Sequence, residues 1–220
     1  MRITDNVSAE DHVYVPFLEY SGAHNLGSWL QHMYTRSNIM HVQVAFFVNN
    51  KFITYTSDAT VGYVYRVDDK QWSRRGWKFY AIPVGRKVRQ AMMARAESLR
   101  GTPYDVYTVC NFFCIPMGPT PPTKVSCVHF TMLVLQAGGL FCHLDEAVTT
   151  DASLEELISG LACVKKNAWI VDNGVASIDD KEFAEYKDLH PATDFYVSAH
   201  DREEHHEEEP PWHEPGLIIV

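Results

Sequence analysis

"HVQVAFFVNNKFITYTSD", residues 41–58, decides the fold class. Two runs rich in valine, phenylalanine, isoleucine, tyrosine and threonine flank the pair Asn49-Asn50. Asparagine tolerates the positive φ of a tight two-residue turn, so the stretch predicts a β-hairpin. That turn sets the register. Val48 falls opposite Lys51, Ala45 opposite Thr54, Gln43 opposite Thr56 and His41 opposite Asp58. Directly opposed residues share a sheet face, and a slip of one residue would reverse every face.

Working outward, "HVYVPFLEY" (12–20), "GYVYRVD" (62–68) and "GWKFYAIPV" (76–84) read as further strands. "SGAHNLGSWLQHMYTRS" (21–37) places Leu26, Trp29, Leu30 and Met33 at helical spacing. "RKVRQAMMARAESLRG" (86–101) is a helix closed by glycine. An aromatic stretch and the proline-rich "IPMGPTPPTK" (115–124) precede a helix over 127–137, with Phe130, Leu133, Val134 and Ala137 on an apolar face. "DASLEELISGLA" (151–162) is another helix, with Leu154, Leu157, Ile158 and Leu161 apolar and Ser153 with Glu156 as a capping box. Residues 165–190 carry a strand and a short helix. The pattern describes one α+β domain over residues 1–198, an antiparallel sheet packed on a helix that begins with Cys127, followed by an acidic tail over 199–220.

The tail explains most of the charge. His200 to Glu214 holds seven acidic residues and one arginine, net −6 of the chain's −9, which leaves about −3 for the rest. With no basic stripe beyond "SRRGWK" (73–78), a nucleic-acid partner is not expected. The polar start "MRITDNVSAEDH" lacks a signal peptide's apolar core, and no apolar run reaches the ~18 residues of a membrane span. The expected setting is intracellular, cytoplasmic or within a virion. The five cysteines, 110, 114, 127, 142 and 163, are an odd number and read as reduced thiols. The acidic tail ends in the apolar "GLIIV", a candidate segment for docking on a partner; a solvated tail is the plainer reading.

Cys127 is where chemistry concentrates. A helix's first turn offers unpaired N–H groups and the positive end of its dipole, which favour a thiolate and an oxyanion. The competing reading is a small buried core residue. A thiolate enzyme needs a base, and His41 opens the most convincing strand, where a side chain is held rigidly enough for general-base work. The register brings Asp58 to the same face, where it could orient the imidazole as the third member of a Cys-His-Asp set.

These residues carry a resemblance. His41 before a hairpin, Gly62-Tyr63-Val64 after it, Gly101, Tyr104 and Asp105 in "GTPYD", and Cys127 leading into "LQAGGL" are similar, in order and spacing over residues 12–162, to the circularly permuted NlpC/P60 papain-like superfamily. That group includes YiiX-like proteins, lecithin:retinol acyltransferase-like enzymes and proteins of large DNA viruses. The resemblance implies a cysteine hydrolase, a thiol peptidase or amidase, in which His41 takes the proton of Cys127 and an acyl-enzyme forms. Tyr104 would assist at the oxyanion, and neither metal nor organic cofactor would be required. The family's third catalytic position falls on Thr54, a weak orienter of imidazole, so Asp58 and Thr54 are both candidates. Substrates would be peptide, protein or acyl compounds. Two other readings stand beside it. One is zinc, for which Cys110, Cys114, Cys127, His129, Cys142 and His143 are potential ligands. The other is a papain-like domain kept as a binding or virion-structural module without activity.

Overall fold

The computed structural model describes residues 8–19, 38–68, 77–107, 123–145, 149–171 and 174–177. The expected helix over 21–37, most of the proline-rich loop with Cys110 and Cys114, and the acidic tail lie outside the described residues.

A short 3-10 turn, Ala9–Asp11, leads into β1, His12–Glu19. Then come β2 (Ile39–Val42), β3 (Val44–Val48), β4 (Lys51–Asp58), β5 (Tyr63–Asp68) and β6 (Trp77–Pro83). Among the described residues three helices follow, α1 (Arg86–Ser98), α2 (Cys127–Ala137) and α3 (Asp151–Ser159). The short strands β7 (Lys165–Lys166), β8 (Ala168–Val171) and β9 (Gly174–Ser177) come last. The α+β class is as expected, with a mostly antiparallel sheet in the order β5-β4-β3-β1-β6-β7, β2 pairing with β1, and β8-β9 forming a separate hairpin.

The Asn49-Asn50 turn has φ of 51° and 61° at its two residues, the left-handed pair a tight hairpin needs. Val48 accordingly pairs with Lys51 and Ala45 with Thr54. Strands β2 and β3 are one line of chain interrupted only at Gln43. Phe17↔Val42, Leu18↔His41 and Tyr14↔Ala45 keep the same register against β1, and Gln43 N–H still donates to the Pro16 carbonyl at 3.0 Å. Pro16 has no N–H to return, so the ladder breaks there.

Each sheet face carries its own core. Val13, Val15, Phe17, Val42, Val44 and Phe46 face the helices, together with Cys127, Phe130 and Leu135 of α2 and Leu154 and Ile158 of α3. Tyr14, Ala45, Phe47, Phe52, Trp77, Phe79 and Ala81 form the core of the other face, with Ala168 and Ile170 of β8. Helix α2 departs from the expected single apolar stripe. Thr131, Met132 and Leu135 are buried as completely as Phe130 and Val134, whereas Ala137 is exposed. The helix lies between the sheet and α1, so two sides need burial, and Gly138 just beyond it abuts Met92 of α1. Helix α3 ends earlier than the apolar pattern suggested. Its capping box sits one turn upstream, with Thr150 as the cap reciprocated by Ser153.

Candidate functional site

Cys127 is the first residue of α2. Ser126 caps the helix, its hydroxyl accepting from the His129 N–H at 3.2 Å. The strap before it is tied to the sheet. Ser57 Oγ donates to the Val125 carbonyl at 2.8 Å, and Val125 N–H donates to the Pro103 carbonyl at 3.1 Å. Tyr104 forms an isolated parallel bridge with Val125, and its N–H donates to the Gly62 carbonyl at 2.8 Å. The "GTPYD" turn thus wedges between β5 and the start of α2, and Tyr104 and Cys127 are brought into one neighbourhood.

The partner of the thiol is Asp151. Its Oδ1 accepts from Cys127 Sγ at 3.8 Å, and Asp151 is itself the first residue of α3. Two helix N-termini therefore meet, one bearing a thiol and the other a carboxyl. The backbone N–H groups of Val42 and Val128 lie near enough to the sulfur to favour its thiolate. Cys127 is only 5% exposed, and burial, followed by the adjacent Asp151 charge, pushes the thiol well above its usual range; the two backbone donors pull the other way. Burial likewise pushes the Asp151 carboxyl up to about 7, opposed by the bond from Cys127 and by its own backbone N–H. Burial raises the Tyr104 hydroxyl too, and the charges of Cys127, Asp151, Asp58 and Asp105 add to the effect, so Tyr104 stays a neutral donor. No group of three or more histidine, cysteine, aspartate or glutamate side chains able to hold a metal occurs among the described residues, and Cys142 and Cys163 are exposed free thiols.

His41 is elsewhere. Its strand partner Leu18 also pairs with Trp77, and its ring lies edge-on to Trp77 at 6.5 Å between centroids. The neighbouring Val42 shares its row with Phe17 on the helix-covered face. Alternation along a strand therefore sends His41 and Cys127 to opposite faces of the sheet. The structure does not bring together the pair that the sequence suggested. His41 Nε2 instead meets Thr56 Oγ1 at 2.8 Å. Asp58 holds its own turn, Oδ1 accepting from Thr60 N–H at 2.8 Å and from Thr60 Oγ1 at 2.7 Å. Thr54 is fully buried, and its hydroxyl has no hydrogen-bond partner among the described residues. The third-residue candidates thus stand on the histidine's face, away from the thiol.

Sequence reasoning missed Asp151. An acidic residue behind a Thr cap is the ordinary way to favour a helix dipole, so nothing local marked it as a thiol's neighbour. Compared with protein-family models, curated proteins and solved structures, the chain has no match.

Proposed function

We propose that Cys127 and Asp151 form the reactive centre of a cysteine hydrolase of the peptidase or amidase kind, in a fold akin to the permuted papain-like arrangement. The observation that carries the reading is the 3.8 Å approach of a thiol and a carboxyl at the first turns of two helices. Asp151, with its pKa near neutrality, takes the role the resemblance gave to His41.

In this mechanism ionised Asp151 accepts the thiol proton as Cys127 Sγ attacks a carbonyl carbon. The N–H groups of Val42 and Val128 favour the thiolate, and the neutral Tyr104 hydroxyl is a donor for the developing oxyanion. Collapse expels the amine or alcohol, which leaves with the proton from Asp151. Water then gives a proton back to Asp151 as it attacks the thioester, and release of the acid restores the thiol. The chemistry asks for no metal.

Iodoacetamide labelling, resolved cysteine by cysteine, tests this. Burial and the Asp151 charge keep the thiol protonated, so its reaction relies on Asp151 as general base: Cys127 should react faster than the exposed Cys142 and Cys163 near pH 8, Asp151→Asn should slow it about tenfold or more, and His41→Ala should change it little. Labelling of Cys127 no faster than the two exposed thiols, or unaffected by Asp151→Asn, would discard the reading.

One observation favours a second reading, a papain-like domain serving as a binding or virion-structural module. Cys127 is nearly enclosed in the core and burial disfavours its thiolate. Under that reading Cys127 labels only after unfolding.

A further inference from the structure

The sheet face opposite the Cys127–Asp151 pair carries an exposed aromatic patch at the start of β5. Asp58↔Tyr63 and Thr56↔Tyr65 are opposed in the β4–β5 ladder, so Asp58, Tyr63 and Tyr65 share this face. Tyr63 is 46% exposed and Tyr65 is partly buried, their rings meeting edge to face at 6.3 Å. The neighbouring Val61 is 40% exposed, and Pro103, bridged to Tyr63, is exposed as well. An exposed apolar group of this kind is what a surface keeps for a partner.

Charge decides the partner. Asp58 makes no ion pair among the described residues. Its Oδ1 is held by Thr60, which fixes the carboxylate, while Oδ2 has no hydrogen-bond partner among the described residues. The one cationic side chain of β5, Arg66, stands on the other face against Glu97 of α1. Burial raises the Tyr65 hydroxyl above its usual range, and the nearby Asp58 charge adds to the rise. A tyrosine pair on the same face as a carboxylate that makes no ion pair among the described residues attracts a cation and repels an anion.

We propose that Tyr63, Tyr65 and Asp58 receive a cationic side chain, lysine or arginine, of a peptide partner. The carboxylate attracts the charge and the tyrosine faces take the aliphatic stem and the cationic head. The ledge is shallow and on the surface, which suits one side chain rather than an enclosed ligand. Because it lies across the sheet from Cys127, it does not depend on the hydrolase reading.

The test is a titration of the full chain with N-acetyl-lysine methylamide, its arginine counterpart and its norleucine counterpart, at 0.15 M salt, read by the aromatic proton and carbon resonances of Tyr63 and Tyr65. Saturable shifts are expected with the two cations and not with norleucine. Asp58→Asn should weaken binding roughly fivefold, and Tyr63→Leu, read at Tyr65, about as much. Glu156→Gln, an exposed acid on α3, is the control and should leave it unchanged. Equal shifts from norleucine would make the patch merely apolar and overturn the proposal. So would an Asp58→Asn protein that binds like the wild type, or the absence of saturable shifts in a protein whose spectrum is otherwise native.

Discussion

Asp151 is the residue on which the most turns. Its folded pKa of about 7 lies above the ~3.9 of an exposed aspartate, so between these values the folded chain binds a proton the unfolded chain lacks. Stability therefore falls as pH rises through roughly pH 4 to 7, and the loss is complete above pH 7. Asp151→Asn removes this dependence. Its urea midpoint should exceed the wild type's at pH 8, with the advantage vanishing near pH 4. His12 works in the opposite sense. It is buried, with Nδ1 3.0 Å from the Ser8 carbonyl, and burial depresses its pKa, so the stability it allows is present above about pH 6.5 and is lost as pH falls. Comparison of wild type with Asp151→Asn at each pH separates the two.

At the scale of elements, the hairpin turn and the α1–α2 contact are the places where one atom matters. Asn49 and Asn50 both hold positive φ. Asn50→Ala puts a poorer left-handed residue there and should cost about 1 kcal/mol in urea unfolding, while Asn50→Gly should be neutral or stabilising. A Cβ added at Gly138 would lie 2.0 Å from Met92 Cε and 3.0 Å from Val88 Cγ1. The methionine end can swing away but not without disturbing packing, so Gly138→Ala should cost about 1–3 kcal/mol, and the Met92→Ala background should recover part of it. The ends of α2 were legible because the cap, the apolar run and the paired glycines agree. Its all-round burial was not, because a stripe in sequence reports one packing partner and α2 has two.

At the scale of the molecule, the sheet is a partition. Helix α3 brings Asp151 to the thiol and is itself fastened through Glu155, which accepts from Tyr80 Oη at 2.5 Å and pairs with Lys78 Nζ at 2.8 Å. Lys78 also reaches Glu19 of β1 at 3.7 Å. Glu155→Ala frees α3 from this anchor and leaves the Tyr80 hydroxyl without that partner. The expected result is about 1 kcal/mol of lost stability together with slower Cys127 labelling at a pH where the protein remains folded. Labelling at the wild-type rate would show that α3 keeps its place by apolar contacts alone. Among the described residues, no helix is long and apolar enough to cross a membrane.

By itself the sequence determined the α+β class, the hairpin with its register from Val48↔Lys51 back to Val44↔Tyr55, the strands that flank it and the helix opening on Cys127. Each rests on a period of two or 3.6, or on a turn residue, within a few neighbours along the chain. The expected Gln43↔Thr56 and His41↔Asp58 pairs do not form: β2 pairs with β1, and Asp58 pairs with Tyr63. Tertiary structure alone decided which side chains meet the thiol. The face His41 takes follows from its pairing with Leu18 and Trp77 and from which face the helices cover, and no local pattern encodes that choice. The arrival of Asp151 depends on α3 docking against β2 and the Lys78–Tyr80 row, a contact between residues more than seventy positions apart, which spacing along one chain cannot express.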